Sequence, residues 1–218
     1  GEPLTRAELG VLLAYAKIVL FSDIVASDVP DESHFDRDLM GYFPDRMAKK
    51  YAAEIHGHRL RREIIARVVA NDLVNQGGPS FVNRLQEATG RSAADVVRAF
   101  TVVRDGFGLS ALYREIDALD NHIDGQVQLD LYQAVSRLIY MTSGWYLKND
   151  TGSAALDQRI AELQEARKAL EPKLISLLPA FSRERIEERR HGLFKGGAPE
   201  KLAEQLALAD IGELIPDI

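Results

Sequence analysis

Apolar residues recur along most of the chain at intervals of three and four, the spacing of one face of a helix. The clearest helix is predicted between His58 and Gln76. Its apolar positions fill two adjacent rows, Leu60, Ile64 and Val68 beside Ile65, Val69 and Leu73. No segment alternates convincingly in the manner of a strand. The pattern predicts an all-α protein of about ten helices in an irregular array, without a sheet.

Capping residues and helix breakers set the predicted boundaries. Thr5 and Glu8 form a capping box ahead of a first helix that ends near Ala26. The other predicted features before residue 149 are a turn at 28–31, a short helix to about Met40, helices over 44–57 and 79–89, a helix from Ser92 to Gly106, one capped by Ser110 to about Asn121, and a long one after Gly125.

The clearest turn in the chain is 149–153, Asn-Asp-Thr-Gly-Ser, and it predicts a boundary there. We expect a helical domain over 1–149 and a helical extension over 150–218 packed on it. Pro172 is expected to bend or restart the first helix of the extension, because proline lacks an amide proton. A charged helix is predicted from Ser182 to the glycines 196–197, and Pro199 opens a last helix that includes Leu202, Leu206 and Leu214.

Composition narrows the function classes. The 218 residues are 46% hydrophobic with a formal net charge of -6, so a soluble globular protein is expected and nucleic acid is a poor partner. The absence of cysteine removes disulfides and thiolate chemistry, as in many cytoplasmic proteins.

The longest apolar run near the start of the chain, Val11 to Phe21, is interrupted by Lys17 and is too short to cross a bilayer of about 30 Å. We expect no membrane anchor.

Several motifs resemble catalytic or metal sites without their required companions. Asp105-Gly106-Phe107-Gly108 has the letters of a kinase metal-binding motif, but no other kinase motif occurs and a helix stop is predicted. His56 and His58 flank a glycine and could hold a metal if a carboxylate or a third histidine came near, but polar residues at a turn between helices are the favoured interpretation. A single Glu188-x-x-His191 pair is too little for a di-iron site. No catalytic residue, metal ligand or cofactor-binding residue is predicted.

The basic residues of the 58–67 helix are a candidate docking surface. Arg59, Arg61, Arg62 and Arg67 could receive a phosphate or an acidic partner, although most such clusters are solvated or form salt bridges. An independent binding module that docks through this helix is therefore one functional hypothesis. It predicts a surface without a large apolar patch.

Asparagines on the same helix are candidates for inter-helix hydrogen bonds. Asn71 and Asn75 continue the row of Ile64 and Val68, so they are predicted on the buried face, where their amides need partners. A ligand site there is the minority alternative. With Arg61, Arg62 and Glu63, they are the candidate inter-helix or interface polar residues.

Several stretches resemble one family. The segments are Leu4-Thr5-Arg6-Ala7-Glu8-Leu9, Leu12-Leu13-Ala14-Tyr15-Ala16-Lys17, Tyr42-Phe43-Pro44, 60–65, Asn71 with Val74-Asn75, Thr89-Gly90 and Asp117-Ala118-Leu119-Asp120. In order and spacing they are similar to the region beyond the catalytic domain of large bacterial NAD-specific glutamate dehydrogenases. Ala7 departs from the proline usual there, and after Asn149 the resemblance rests on helical character and position.

The resemblance implies a parent chain that converts glutamate, NAD and water to 2-oxoglutarate, ammonia and NADH. Its substrate lysine and Rossmann cofactor domain would lie elsewhere, so NAD is expected in the parent and no cofactor here. The helical region is expected to pack against catalytic domains or neighbouring subunits of a homo-oligomer in the cytoplasm, in a structural or regulatory role. Gly1 and the end at Ile218 suggest a truncated piece, whose missing neighbours should leave apolar surface exposed.

Overall fold

A computed structural model describes residues 4–149 and 154–209, with only the backbone of Ala209. Within these residues the chain forms twelve α-helices and two 3-10 turns, Val29–Asp31 and Ser33–Phe35, and no strand. The all-α prediction is confirmed. The helices are α1 (Arg6–Ala26), α2 (Asp36–Gly41), α3 (Asp45–Lys50), α4 (Ala52–His56), α5 (Arg61–Gly77), α6 (Phe81–Thr89), α7 (Ala93–Gly106), α8 (Leu109–Asp117), α9 (Gly125–Asn149), α10 (Leu156–Leu177), α11 (Ala180–Lys195) and α12 (Glu200–Ala209).

Local capping chemistry places several helix ends where the sequence predicts them. The Thr5 amide donates to Glu8 Oε2 at 2.8 Å, and the Glu8 amide donates to Thr5 Oγ1 at 3.3 Å. The same reciprocal pair joins Ser92 and Asp95 at the start of α7. Gly90 closes α6 with a φ of 69°, a left-handed conformation that glycine adopts without steric cost.

Two predicted boundaries are wrong. The helix expected over 44–57 is two helices, because Tyr51 leaves helical geometry at φ -120° and ψ 35°. Ser110 does not cap α8, which begins one residue earlier after Gly108 turns the chain at a φ of 66°. At Pro172 the helix does not restart, because α10 is continuous from Leu156 to Leu177 and the proline lies at an exposed position; the alternative of a bend stays a prediction. The turn at 149–153 and Leu214 lie outside the described residues, apart from Asn149 at the end of α9.

The described residues form two compact units. The first unit comprises 4–100 and 147–149, and the second comprises 101–146 and 154–209. In the first unit α5 is the central helix, against which α1, α2 and the turn Val29–Asp31 pack. The face of α5 that is buried there consists of Ile65, Ala66, Val69, Ala70, Leu73 and Val74.

In the second unit the long α9 contributes the buried residues Leu131, Ala134, Val135 and Ile139. α12 packs on α11, and Ala207 of α12 joins Ile186 and Leu178 in one hydrophobic cluster. The end of α7 meets α10, where Gln164 and Arg167 donate to the carbonyls of Asp105 (3.3 Å) and Phe107 (2.9 Å). These bonds supply carbonyls near a helix end with donors from a neighbouring helix.

α1 is longer than the apolar run seen in the sequence. By length and composition alone this 21-residue helix could cross a membrane, and only 11% of its most apolar stretch is buried. The prediction that no segment is long enough is therefore wrong, because the helix extends the run at both ends. A core helix or a signal sequence meets the same criterion, so α1 does not by itself indicate a membrane protein.

Gly106 at the end of α7 is required for the close approach of α10. A Cβ at this position would lie 2.5 Å from Leu163 Cδ2 and 2.9 Å from Leu163 Cγ. We expect Gly106→Ala to lower the free energy of unfolding by about 1–2 kcal/mol, since overpacking outweighs the gain in helix propensity. Gly192→Ala in α11, where nothing lies within 4 Å, should instead stabilise the unit by about 0.5–1 kcal/mol.

Urea unfolding followed by the fluorescence of Trp145, the sole tryptophan, measures both glycine variants in the second unit. Equal midpoints for the two variants would contradict the close approach at Gly106.

Candidate functional site

Two arginines at the start of α5 bind the connection that follows α1. Arg61 donates to the carbonyl of Pro30 at 2.5 Å and to Asp36 Oδ1 at 2.6 Å. Arg62 donates to the carbonyls of Ser27 (2.6 Å) and Val25 (3.0 Å). It also pairs with the carboxylate of Asp31 in the same connection. A cation at the C-terminal end of α1 satisfies carbonyls that have no helical partner and faces the negative end of the helix dipole.

A third arginine reaches the same connection from α7. Arg98 donates through Nε to Glu32 Oε1 and through Nη2 to Asp28 Oδ1, both at 2.6 Å. The hydrogen bond from Arg98 holds the pKa of the Asp28 carboxyl below its ordinary value. We call Arg61, Arg62 and Arg98, with residues 25–36 that they bind, the arginine clamp.

The predicted basic docking surface loses two of its four arginines to the clamp. Arg61 and Arg62 direct their guanidinium groups at the chain itself, as charge-assisted hydrogen bonds favour. Arg67 donates to the hydroxyl of Tyr42 at 3.1 Å, with its guanidinium 5.8 Å from the ring centre of the same tyrosine. Arg59 is exposed, so the four predicted basic residues do not form one face that is free for a partner.

The asparagines are not where the sequence places them. Asn75 is exposed and Asn71 is half-buried, as are Ile64 and Val68 of the same row. The buried face of α5 instead contains the adjacent row of Ile65, Val69 and Leu73, together with the alanines 66 and 70. The prediction that Asn71 and Asn75 lie in the core is therefore wrong. Glu63 is half-buried beside the clamp.

The histidines 56 and 58 and the motif at 105–108 make contacts within the chain. His58 Nδ1 accepts a hydrogen bond from the Leu60 amide at 3.1 Å, and His56 Nδ1 lies 3.7 Å from Asp36 Oδ2. Asp105 pairs with the buried Arg104, and α7 ends at Gly106 as predicted. Among residues 4–149 and 154–209, no group of three or more histidine, aspartate and glutamate side chains could hold a metal ion.

Two stacked tyrosines in the second unit lie between α8 and α9. The rings of Tyr113 and Tyr132 have centres 6.1 Å apart and planes 21° from parallel, and the Tyr132 hydroxyl donates to Asp117. Burial raises the pKa of Tyr113 to about 12 and, with Asp117, that of Tyr132 to about 12. Both phenols therefore stay protonated at alkaline pH values at which an ordinary tyrosine ionises.

The second unit also has an apolar groove of about 720 Å³. α8, α9, α10 and α12 line it with leucines, and the exposed Trp145 is also part of its lining. Arg167 is the cation of the groove, bound to Glu171 at 2.5 Å. Leu163 and Leu170 are seven positions apart and so lie on one side of a helix, but the groove was not predicted, since such spacing does not show how closely the neighbouring helices pack. None of the predicted site residues lies in it.

Comparison with known proteins identifies the family. A family model described as "Glutamate dehydrogenase, C-terminal" matches residues 1–218, the whole chain. The chain belongs to this family. The resemblance seen in the sequence is confirmed, including the part after Asn149.

Three bacterial relatives of this chain are each named NAD-specific glutamate dehydrogenase. The chain is 40% identical over 215 residues to the protein of Halomonas elongata and 39% identical over 207 residues to that of Pseudomonas aeruginosa. These matches cover 96% and 95% of the chain but only 13% of each relative. The Mycobacterium tuberculosis protein is 30% identical over 203 residues, which are 93% of the chain and 12% of that relative.

Proposed function

We propose that this chain is a non-catalytic helical domain of an NAD-dependent glutamate dehydrogenase. The whole polypeptide would convert glutamate, NAD and water to 2-oxoglutarate, ammonia and NADH in the cytoplasm, with NAD and substrate bound outside these residues. The helical domain would pack against the catalytic domain or neighbouring subunits of a homo-oligomer and thereby stabilise it or limit its motion. The names of the relatives support the activity of the whole protein.

The arginine clamp is the observation that carries the structural role. Its guanidinium groups bind the carbonyls of Val25, Ser27 and Pro30, which fixes the end of α1 against α5. Side chains used in this way hold helices together and are not available to recognise a partner. The hypothesis of an independent module docking through the 58–67 helix loses its central residues, and the exposed apolar residues of α1 also disfavour it.

Deletion of this region from the full-length enzyme tests the proposal. We expect the separate 218-residue chain to show no glutamate-dependent reduction of NAD. The deleted enzyme should lose roughly ten-fold or more in kcat, because small displacements of reacting groups are costly, or assemble with a different number of subunits. NADH absorbance measures kcat, and light scattering gives the number of subunits once the mass of the deleted residues is subtracted. Full activity and an unchanged number of subunits after deletion would contradict a structural or regulatory role.

A further inference from the structure

One side of α1 exposes a row of large apolar side chains. Their exposed fractions are Leu9 43%, Val11 56%, Leu12 44%, Tyr15 65%, Ile18 59% and Val19 57%. Val11, Tyr15 and Ile18 follow one another at steps of four and three, so they form one stripe, and Leu12 and Val19 lie beside it. We call these six residues the outer face of α1.

The opposite side of α1 is already packed. Leu20 and Ile24 are buried, and Leu13 is half-buried, as the helix lies against α5. A helix that is apolar on all sides belongs in an interior, where every side has a neighbour. Within the first unit, α1 has neighbours on one side only. Contiguous exposed apolar surface of this kind marks an interface.

We propose that the outer face of α1 is the surface on which the rest of the same polypeptide, outside residues 1–218, packs. This inference rests on the proposed function and names the surface through which the domain would act. The chain is only 13% of the length of its first two relatives, and the matching family model describes a C-terminal part, so most of such a polypeptide lies outside these residues. Segments joined in one chain meet at a high effective concentration and cover an apolar face before a second molecule does.

The packing of α1 argues against a lipid bilayer as the occupant. To cross a membrane, α1 would have to leave α5 and expose the apolar row that includes Ile65 and Val69. It would also break the bonds from Arg62 to the carbonyls of Val25 and Ser27. A protein neighbour can cover the outer face while the inner contacts and the clamp remain in place.

Thiol labelling of the full-length enzyme tests whether the face is covered. These 218 residues contain no cysteine, so a cysteine placed in them is identified by its own peptide in mass spectrometry. We expect Ile18→Cys to react roughly ten-fold or more slowly in the native enzyme than after unfolding in urea. Ala53→Cys, at an exposed position of α4, is the matched control and should react freely in both states. Free reaction of Ile18→Cys in the native enzyme overturns the proposal.

A photoreactive phenylalanine analogue in place of Tyr15 identifies the occupant, and it remains informative if Ile18→Cys fails to fold. The expected product has the mass of one chain on a denaturing gel and joins position 15 to a peptide outside the 218 residues. Cross-links to a second copy, or flotation of the enzyme with phosphatidylglycerol vesicles, overturn the proposal. A freely reacting Ile18→Cys together with activity lost on deletion refutes this surface alone and leaves the proposed function standing.

Discussion

Replacing Phe35 by alanine is expected to lower the free energy of unfolding of the first unit by about 3–5 kcal/mol, the usual cost of removing a buried aromatic side chain. Phe35 is 0% exposed although it lies in a connection, at the end of a 3-10 turn and the start of α2. Its buried ring lies in the segment whose carboxylates and carbonyls bind the three arginines of the clamp. The cavity would therefore also loosen Glu32 and Asp36, which lie within four residues of it.

Urea unfolding followed by helical circular dichroism measures this loss for Phe35. Tyr51→Ala is the matched truncation at an aromatic residue of the same unit that is 41% exposed, and it should cost less than about 1 kcal/mol. If both variants unfold at the same urea concentration, Phe35 is not an anchor of this unit.

Arg104→Met is expected to destabilise the second unit by about 3 kcal/mol. The Arg104 side chain is 2% exposed and makes two parallel bonds to Asp105, from Nε to Oδ1 at 2.9 Å and from Nη2 to Oδ2 at 3.2 Å. Removing the guanidinium leaves a largely buried carboxylate without its principal cation, and that penalty exceeds the value of the pair itself. Methionine preserves most of the volume, so the loss would report charge and not packing.

The double variant Arg104→Met with Asp105→Leu separates these two contributions. It should recover most of the stability, because neither buried charge then remains, and Trp145 fluorescence in urea follows all three proteins. A double variant that is as unstable as the single variant would show that the arginine acts through its shape.

Helix ends were predictable where the signal is local. The capping boxes Thr5 with Glu8 and Ser92 with Asp95 need residues only three positions apart. The first forms as predicted, and the second begins the helix that was predicted from Ser92. Gly90 likewise ends α6 by its own backbone freedom. The prediction that Ser110 caps α8 is wrong because Gly108, two residues earlier, already turns the chain and allows α8 to begin at Leu109.

The buried side of α5 could not be chosen from periodicity alone. Two adjacent rows are apolar, and the row of Ile64 and Val68 looked as suitable as that of Ile65 and Val69. The alanines 66 and 70 decide between them, since small residues let a neighbouring helix approach, but they contribute little to a count of large apolar residues. Choosing the wrong row also led to the wrong prediction that Asn71 and Asn75 are buried.

The clamp was only partly predictable. Arg61 and Arg62 belong to the predicted basic cluster, for which solvated faces or salt bridges are the usual outcome. Their principal acceptors include backbone carbonyls of residues 25–30, which every residue possesses and no sequence pattern marks. Arg98 was not singled out at all, since its partners are 66 and 70 positions away in the chain.

The different sequence separations within the clamp bear on the order in which the first unit folds. The bonds of Arg61 and Arg62 join residues 25 to 37 positions apart, whereas those of Arg98 join residues 66 and 70 positions apart. The entropy lost on closing a loop grows with its length, so the bonds of Arg61 and Arg62 cost less to form from the unfolded chain. As a ribosome releases this segment, the pairing of α1 with α5 can therefore form before α7 arrives with Arg98 to complete it.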